Sequence, residues 1–292
     1  MRLALALEQQ GRRAVVINAD SAQVYADLAV LSARPTSEEM QGVEHRLFGT
    51  WDGAISCSAA DWAAAAKREI VETHAVGAVP ILVGGTGLYI RTLLDGIAPV
   101  PEIAPMVRSA VRALDTAAAY AALLTEDPAR AAALAPADSA RIARSLEVVR
   151  STGRTLAEWQ SERSGGISEA VSLHPVILLP DRQALYAKCD QRFARMIAQG
   201  AAEEVAALLA RNLDPTLPVM RAIGVAEISA YLRGEVSQEI ANSRGAQATR
   251  NYAKRQYTWF RNQPPVDWPR VETETYDIAA LYEILLRNFG LT

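Results

Sequence analysis

Apolar runs and polar breaks divide the chain into alternating strands and helices. Ala14-Val15-Val16-Ile17 is a continuous run rich in β-branched residues. Such a run marks a strand covered on both faces, as in a parallel sheet. A helical pattern over residues 2–10 precedes it and stops at Gly11, and Asn18-Ala19-Asp20-Ser21 follows its carboxyl end. In open parallel sheets ligands bind at that end. Ser58 to Ala75 reads as a helix, with Ser58 as cap, Asp61 in the first turn and Gly77 as stop. Pro80-Ile81-Leu82-Val83 is a second strand, followed at once by Gly84-Gly85-Thr86-Gly87. Strand, helix and strand joined by short links predict a parallel βαβ unit.

Gly96, Pro99, Pro101 and Pro105 then punctuate the chain and mark a boundary. Residues 106–160 are rich in alanine and arginine at helical spacing, which predicts a small helical layer. After the loop at Gly165-Gly166, Val176-Ile177-Leu178-Leu179 reads as a third core strand. Residues 182–212 are helical with a break at Gly200, 237–260 form a polar helix bearing arginines, and 276–287 form a last amphipathic helix. The expected organisation is a first half of an α/β core over 1–104, a helical insertion over 105–165, and the rest of the core with C-terminal helices over 166–292.

Composition narrows the function classes. The 292 residues are 50% hydrophobic and 22% charged, an ordinary globular balance. The formal net charge is −3, so a nucleic-acid partner must be met by local patches. One such patch is evident. From Ala241 to Gln263 the basic residues are Arg244, Arg250, Lys254, Arg255 and Arg261, with no acid among them and with Tyr252, Tyr257, Trp259 and Phe260 interleaved. Cationic side chains hold phosphates and aromatic rings stack on unpaired bases; the alternative is aromatics facing a core beneath a solvated basic face. The two cysteines, Cys57 and Cys189, form no CxxC, and there are three histidines. A disulfide framework or structural zinc is not expected. Arg2 and the short apolar run after it mimic a targeting signal, but no small-residue cleavage site follows. No apolar run approaches the length of about 18 residues that a membrane span needs.

Several positions suit chemistry. Asp20, at the carboxyl end of a buried strand, is placed to act as a base or to orient a metal-bound water, or merely to cap a helix near Ser21. The glycines around Thr86 let backbone approach a ligand, and their N–H groups with the Thr86 hydroxyl suit phosphate oxygens; a tight turn without a ligand has the same pattern. Arg141 and Arg144 share a helix face below Asp138, and Arg221 precedes Ala222-Ile223-Gly224; each also fits a solvated surface charge.

Taken in order, Asn18-Ala19-Asp20-Ser21-Ala22-Gln23-Val24-Tyr25, Ala33-Arg34-Pro35, Gly84-Gly85-Thr86-Gly87-Leu88-Tyr89, Arg141-Ile142-Ala143-Arg144, Arg221-Ala222-Ile223-Gly224 and Ala253-Lys254-Arg255-Gln256-Tyr257-Thr258-Trp259 resemble the tRNA dimethylallyltransferase family over nearly the whole chain. The resemblance implies an α/β, P-loop-NTPase-like parallel sheet flanked by helices, with a helical insertion. It implies transfer of a dimethylallyl group from dimethylallyl diphosphate to N6 of the adenine just 3′ of the tRNA anticodon, position 37. Mg²⁺ is the implied cofactor, and a monomeric cytoplasmic enzyme is the implied setting. Carried onto this chain, Asp20 is the general base, Thr86 orients that carboxylate or the departing diphosphate, and Arg221 meets charge on the leaving oxygen. Ser21, Gln23, Arg141, Arg144, Arg221, Gly224, Arg250, Lys254 and Arg255 form the implied tRNA-contacting set.

This sequence also departs from the family pattern. Members begin with a strand and a loop close to GPTxSGKS, whereas Met1 here falls near that loop's last residue. The expected fold therefore lacks the first strand and the P-loop, and no metal ligand is carried over. The expectation is that the gene product begins upstream. Val225 stands where the family usually has Tyr, Cys57 where an aromatic is common, and Val30-Leu31-Ser32 replaces Ile-Gly-Thr. Two rivals stay in view: a relic that binds RNA without transferring anything, and a small-molecule kinase or isopentenyltransferase on the same core.

Overall fold

The structure, a computed structural model, describes residues 1–272. The first elements are α1 (Arg2–Gln9), β1 (Ala14–Asn18), the short α2 (Ser37–Met40), β2 (Glu44–Arg46), α3 (Ala59–Ala75), β3 (Val79–Val83) and α4 (Gly87–Asp95). β1 is the centre of a three-stranded parallel sheet of order β2-β1-β3. All five of its residues are buried, as a β-branched run with no polar face requires. Ala4 and Leu7 of α1 cover one face with Ala14, Val16 and Val43. α3 starts from a capping box in which Ser58 accepts the Asp61 N–H and Asp61 accepts the Ser58 N–H, both at 3.1 Å. β1 and β3 are adjacent and parallel, with Asn18 beside Val83 in register. That register sets the loops after the two strands side by side.

The contacts divide the chain into two units, one of residues 1–93 and 171–292, the other of residues 94–170. The second unit is helical: α5 (Pro105–Arg112), α6 (Thr116–Glu126), α7 (Pro128–Ala132), α8 (Ser139–Thr152) and α9 (Leu156–Ser161). Its core joins Val111, Ala119, Leu123, Ala131, Leu134, Ile142 and Leu146. Small alanines at the contact faces let these helices approach closely. Arg112 reaches the buried Glu147 at 3.0 Å.

The first unit resumes with β4 (Ile177–Leu178), α10 (Arg182–Ala198), α11 (Ala201–Ala210), a 3₁₀ turn at Val219–Arg221, α12 (Val225–Leu232), the long α13 (Gln238–Asn262) and β5 (Arg270–Val271). Gly200 separates α10 from α11 in the left-handed conformation, φ +100°, which costs a glycine little. One expectation needs correction. The third strand of the main sheet is Glu44–Arg46, not residues 176–179; Ile177–Leu178 pairs instead with Arg270–Val271 in a separate two-stranded parallel sheet. Glu44-His45-Arg46 has no β-branched residue, and its strand conformation comes from pairing with β1. The amphipathic helix expected at 276–287 lies outside the described residues.

A carboxylate also locks the loop that leads to Ala33-Arg34-Pro35. Glu204 of α11 accepts the N–H groups of Ala29, Val30 and Leu31 at 2.5, 2.9 and 2.8 Å. Hydrogen bonds to a charged acceptor are strong, and stranded donors are costly. Glu204→Ala is expected to lower unfolding stability by about 3 kcal/mol, read by urea denaturation, whereas Glu204→Gln, which keeps one acceptor oxygen, loses less. Equal stability in the alanine variant would show that water replaces the carboxylate.

Candidate active site

Two loops at the carboxyl ends of β1 and β3 are stitched together. The Ala19 N–H donates to the Val83 carbonyl at 2.8 Å, and the Thr86 N–H donates to the Ala19 carbonyl at 3.1 Å. The Ser21 N–H donates to Thr86 Oγ1 at 2.9 Å, and the two hydroxyls lie 3.1 Å apart. Thr86 therefore holds the segment that carries Asp20. Asp20 Oδ1 accepts the Ala22 N–H at 2.8 Å, and Asp20 itself is half-buried. The side chain is thus oriented locally while keeping access to a partner.

An aromatic layer supports this segment from within. Trp62 of α3 is fully buried and donates from Nε1 to the Asn18 carbonyl at 2.8 Å. Its ring stacks on Tyr89 with centroids 4.7 Å apart. Tyr89 Oη donates to the Cys57 carbonyl at 3.2 Å, and Tyr25 Oη accepts the Cys57 N–H at 3.1 Å. Burial pushes the proton affinities of Tyr25, Cys57 and Tyr89 above their ordinary values, so these groups stay neutral through the physiological range. Cys57 and Cys189 are both buried free thiols.

α13 closes on the same loops. Gln256 Nε2 donates to the Gly85 carbonyl at 3.0 Å across 171 residues of sequence. A Cβ on Gly87 would lie 2.4 Å from the Trp259 ring, so the absence of a side chain at 87 admits that indole. The sequence marks Trp259 as one of the interleaved aromatics of the basic patch and does not single out Gln256; the contact of both with the glycine loop is tertiary. Along α13, Arg244, Lys254, Arg255 and Arg261 are exposed, and the Arg255 guanidinium sits 5.5 Å from the Tyr252 ring centroid.

The other sequence candidates fall in several places. Gln23 donates from Nε2 to the Ser32 and Ala33 carbonyls at 3.1 and 2.9 Å, so its amide shapes the loop that Glu204 locks. Gly224 is buried at the start of α12 with φ +95°, where a Cβ would lie 2.7 Å from Leu31 Cδ1 and 3.2 Å from Phe193. Arg250 pairs with Asp190 and donates to Gln247 at 2.6 Å. Arg221 is exposed at the end of the 3₁₀ turn, and among the described residues no hydrogen bond joins it to Asp20, Ser21 or Thr86. Arg141 and Arg144 are exposed on α8 in the second unit; Arg141 lies 3.4 Å from Asp138.

Among the described residues no group of three or more His, Cys, Asp or Glu side chains comes together to hold a metal, and no helix is long and apolar enough to cross a membrane.

A parallel sheet flanked by helices, with an acidic loop and a glycine loop side by side beyond the strand ends, makes the molecule an α/β protein. The family model of IPP transferase matches residues 23–263. The chain belongs to this family. A tRNA dimethylallyltransferase of Erythrobacter litoralis is 63% identical over 287 residues, covering 98% of this chain and 90% of the relative. One from Novosphingobium aromaticivorans is 66% identical over 278 residues, covering 95% and 99%. Among solved structures, the full-length tRNA isopentenylpyrophosphate transferase of Bacillus halodurans superposes with TM-score 0.69 at 31% identity, over 99% of this chain and 90% of its own. A eukaryotic dimethylallyltransferase acting on tRNA shares the fold, with TM-score 0.76 at 23% identity, over 99% of this chain and 74% of its own.

Proposed function

We propose that this chain transfers a dimethylallyl group from dimethylallyl diphosphate to N6 of the adenine 3′ of the anticodon in tRNA. The observation that carries the reading is the meeting of Asp20, Ser21 and Thr86 with a basic, aromatic helix through the Gln256–Gly85 and Trp259–Gly87 contacts. An adenine exocyclic amine is a weak nucleophile, so placement and proton removal both matter. N6 attacks the allylic carbon, the carbon–oxygen bond to diphosphate breaks, and Asp20 takes the N6 proton. Thr86 acts through Ser21 as a positioning residue. Arg221 meets charge on the departing diphosphate. The target base leaves its stack, a smaller cost in a loop than in a duplex.

Mg²⁺ is the proposed cofactor: the Ser21 and Thr86 hydroxyls are hard oxygens, and this cation keeps several waters and would be held mainly by the substrate phosphates, which leaves the Asp20 carboxylate to take the proton. When bound it supplies neutralisation of the diphosphate charge. Two buried free thiols fit a reducing cytoplasm, and the working unit is a monomer.

For tRNA, Ser21, Lys254, Arg255, Arg141 and Arg144 are the proposed direct contacts. Gln23, Gly224 and Arg250 shape the backbone that the RNA meets. The decisive assay is transfer of labelled dimethylallyl to an unmodified tRNA transcript with Mg²⁺; binding of tRNA without transfer would favour the relic reading. In gel shifts at rising salt, Lys254→Ala with Arg255→Ala is expected to weaken tRNA binding at least about tenfold at moderate salt and to lower the slope of log affinity against log salt by about 1.5. Unchanged affinity and slope would take α13 out of the RNA interface.

A further inference from the structure

The strand that carries the reactive carboxylate ends on a residue that breaks its own pattern. After Ala14-Val15-Val16-Ile17, position 18 is an asparagine, fully buried. Asn is depleted in strands, and a buried amide is costly unless every polar atom finds a partner. Here each one does. Asn18 Oδ1 accepts the Asp20 N–H at 2.9 Å. Nδ2 donates to the Asp20 carbonyl at 3.0 Å and to the Leu47 carbonyl at 3.0 Å. The main-chain carbonyl of Asn18 accepts the Trp62 indole N–H.

The geometry of these bonds is more specific than core filling requires. One side chain grips both polar backbone atoms of the residue that bears the carboxylate. With N–H and C=O of Asp20 both held, little is left to adjust but its two side-chain torsions, and the Ala22 N–H restrains those through Oδ1. The third bond, to Leu47 beyond β2, ties the turn to the neighbouring strand. A local rule broken at a buried position, with all its polar atoms satisfied, is a mark of functional constraint. We propose that Asn18 is a positioning residue that aims the Asp20 carboxylate at the nucleophile. The inference rests on the reading of Asp20 as the base.

The test is a set of variants of the full chain in the transfer assay, with melting temperatures measured for each. Asn18→Ala is expected to lower kcat by about 10- to 100-fold, the effect of a small misplacement of a catalytic group, while KM for tRNA and for dimethylallyl diphosphate changes less than about threefold. Val16→Ala, in the core of the same strand, loses stability without touching the turn and is expected to keep kcat. Asn18→Ala on top of Asp20→Ala is expected to add no further loss, because Asn18 acts through Asp20. Asn18→Asp keeps the size but turns an oxygen toward the Asp20 and Leu47 carbonyls, and it is expected to lose kcat as Asn18→Ala does, with KM again changing little.

If Asn18→Ala loses no more kcat than Val16→Ala at a matched fall in melting temperature, the residue is structural and the inference fails alone. Multiplying losses in the double variant would also overturn it. Wild-type turnover in Asp20→Ala would instead remove the base reading, and this inference with it.

Discussion

Replacing Asp20 by alanine is expected to reduce dimethylallyl transfer by about a thousandfold, within the range typical of losing a general base. The fold should barely notice. The carboxylate accepts one hydrogen bond, from the Ala22 N–H at the start of its own loop. Losing it costs about 1 kcal/mol, a fall of roughly 2 to 4 °C in melting temperature for a chain of this size. Asp20→Asn separates chemistry from geometry. The amide oxygen still accepts from Ala22, but the side chain no longer takes a proton. Loss of turnover in both variants, with tRNA affinity unchanged, is the expected result. An active Asp20→Asn enzyme would move the proton to another acceptor, and the Asp20 carboxylate would then serve only to order the loop.

The second large effect is expected from the smallest substitution. In Gly84→Ala the new Cβ would lie 2.2 Å from both the carbonyl carbon and the carbonyl oxygen of Ala19. Those are backbone atoms, held by the Val83 and Thr86 hydrogen bonds, and they cannot rotate aside. The two loops must separate. We expect a stability loss of about 3 kcal/mol, at the upper end for overpacking, and a fall in transfer of about a hundredfold as Asp20 and Thr86 part. Gly85→Ala and Gly87→Ala provide the scale. At 85 the obstructing atoms are the end of the Gln256 side chain, and at 87 they belong to the Trp259 ring. Both can shift, the amide more easily than the indole. The expected order of damage is Gly84, then Gly87, then Gly85, measured by transfer rate and thermal melting together. Equal effects at all three would mean that the loop is held by general packing and not by the close passage of two backbones.

Some of this site was legible in the residues. The β-branched run Ala14–Ile17 and the run ending at Val83 have no polar face, so each reads as a strand that ends in a polar loop; the first is the buried centre of the sheet and the second its half-buried edge. Ser58 with Asp61, and Gly200, mark element boundaries by their own local chemistry. β2 was not legible, because Glu-His-Arg has no strand preference and becomes a strand only beside β1. Residues 176–179 look like a core strand because apolar composition does not specify a partner, and their partner is β5. Asn18 looked like the first residue of a polar loop; only its burial reveals a fully bonded amide.

The sequence by itself determined the strand–helix–strand unit, the polar loops at the strand ends, and the local charge of the helix over Ala241–Gln263, because each depends on neighbours a few positions apart. Tertiary structure alone decided that Ser21 meets Thr86 across 65 residues and that Gln256 meets Gly85 across 171. It also decided which arginines stay exposed and which, like Arg250, are taken up in ion pairs. Contacts at such separations follow from the sheet register and from the path of intervening helices, and no residue spacing encodes them.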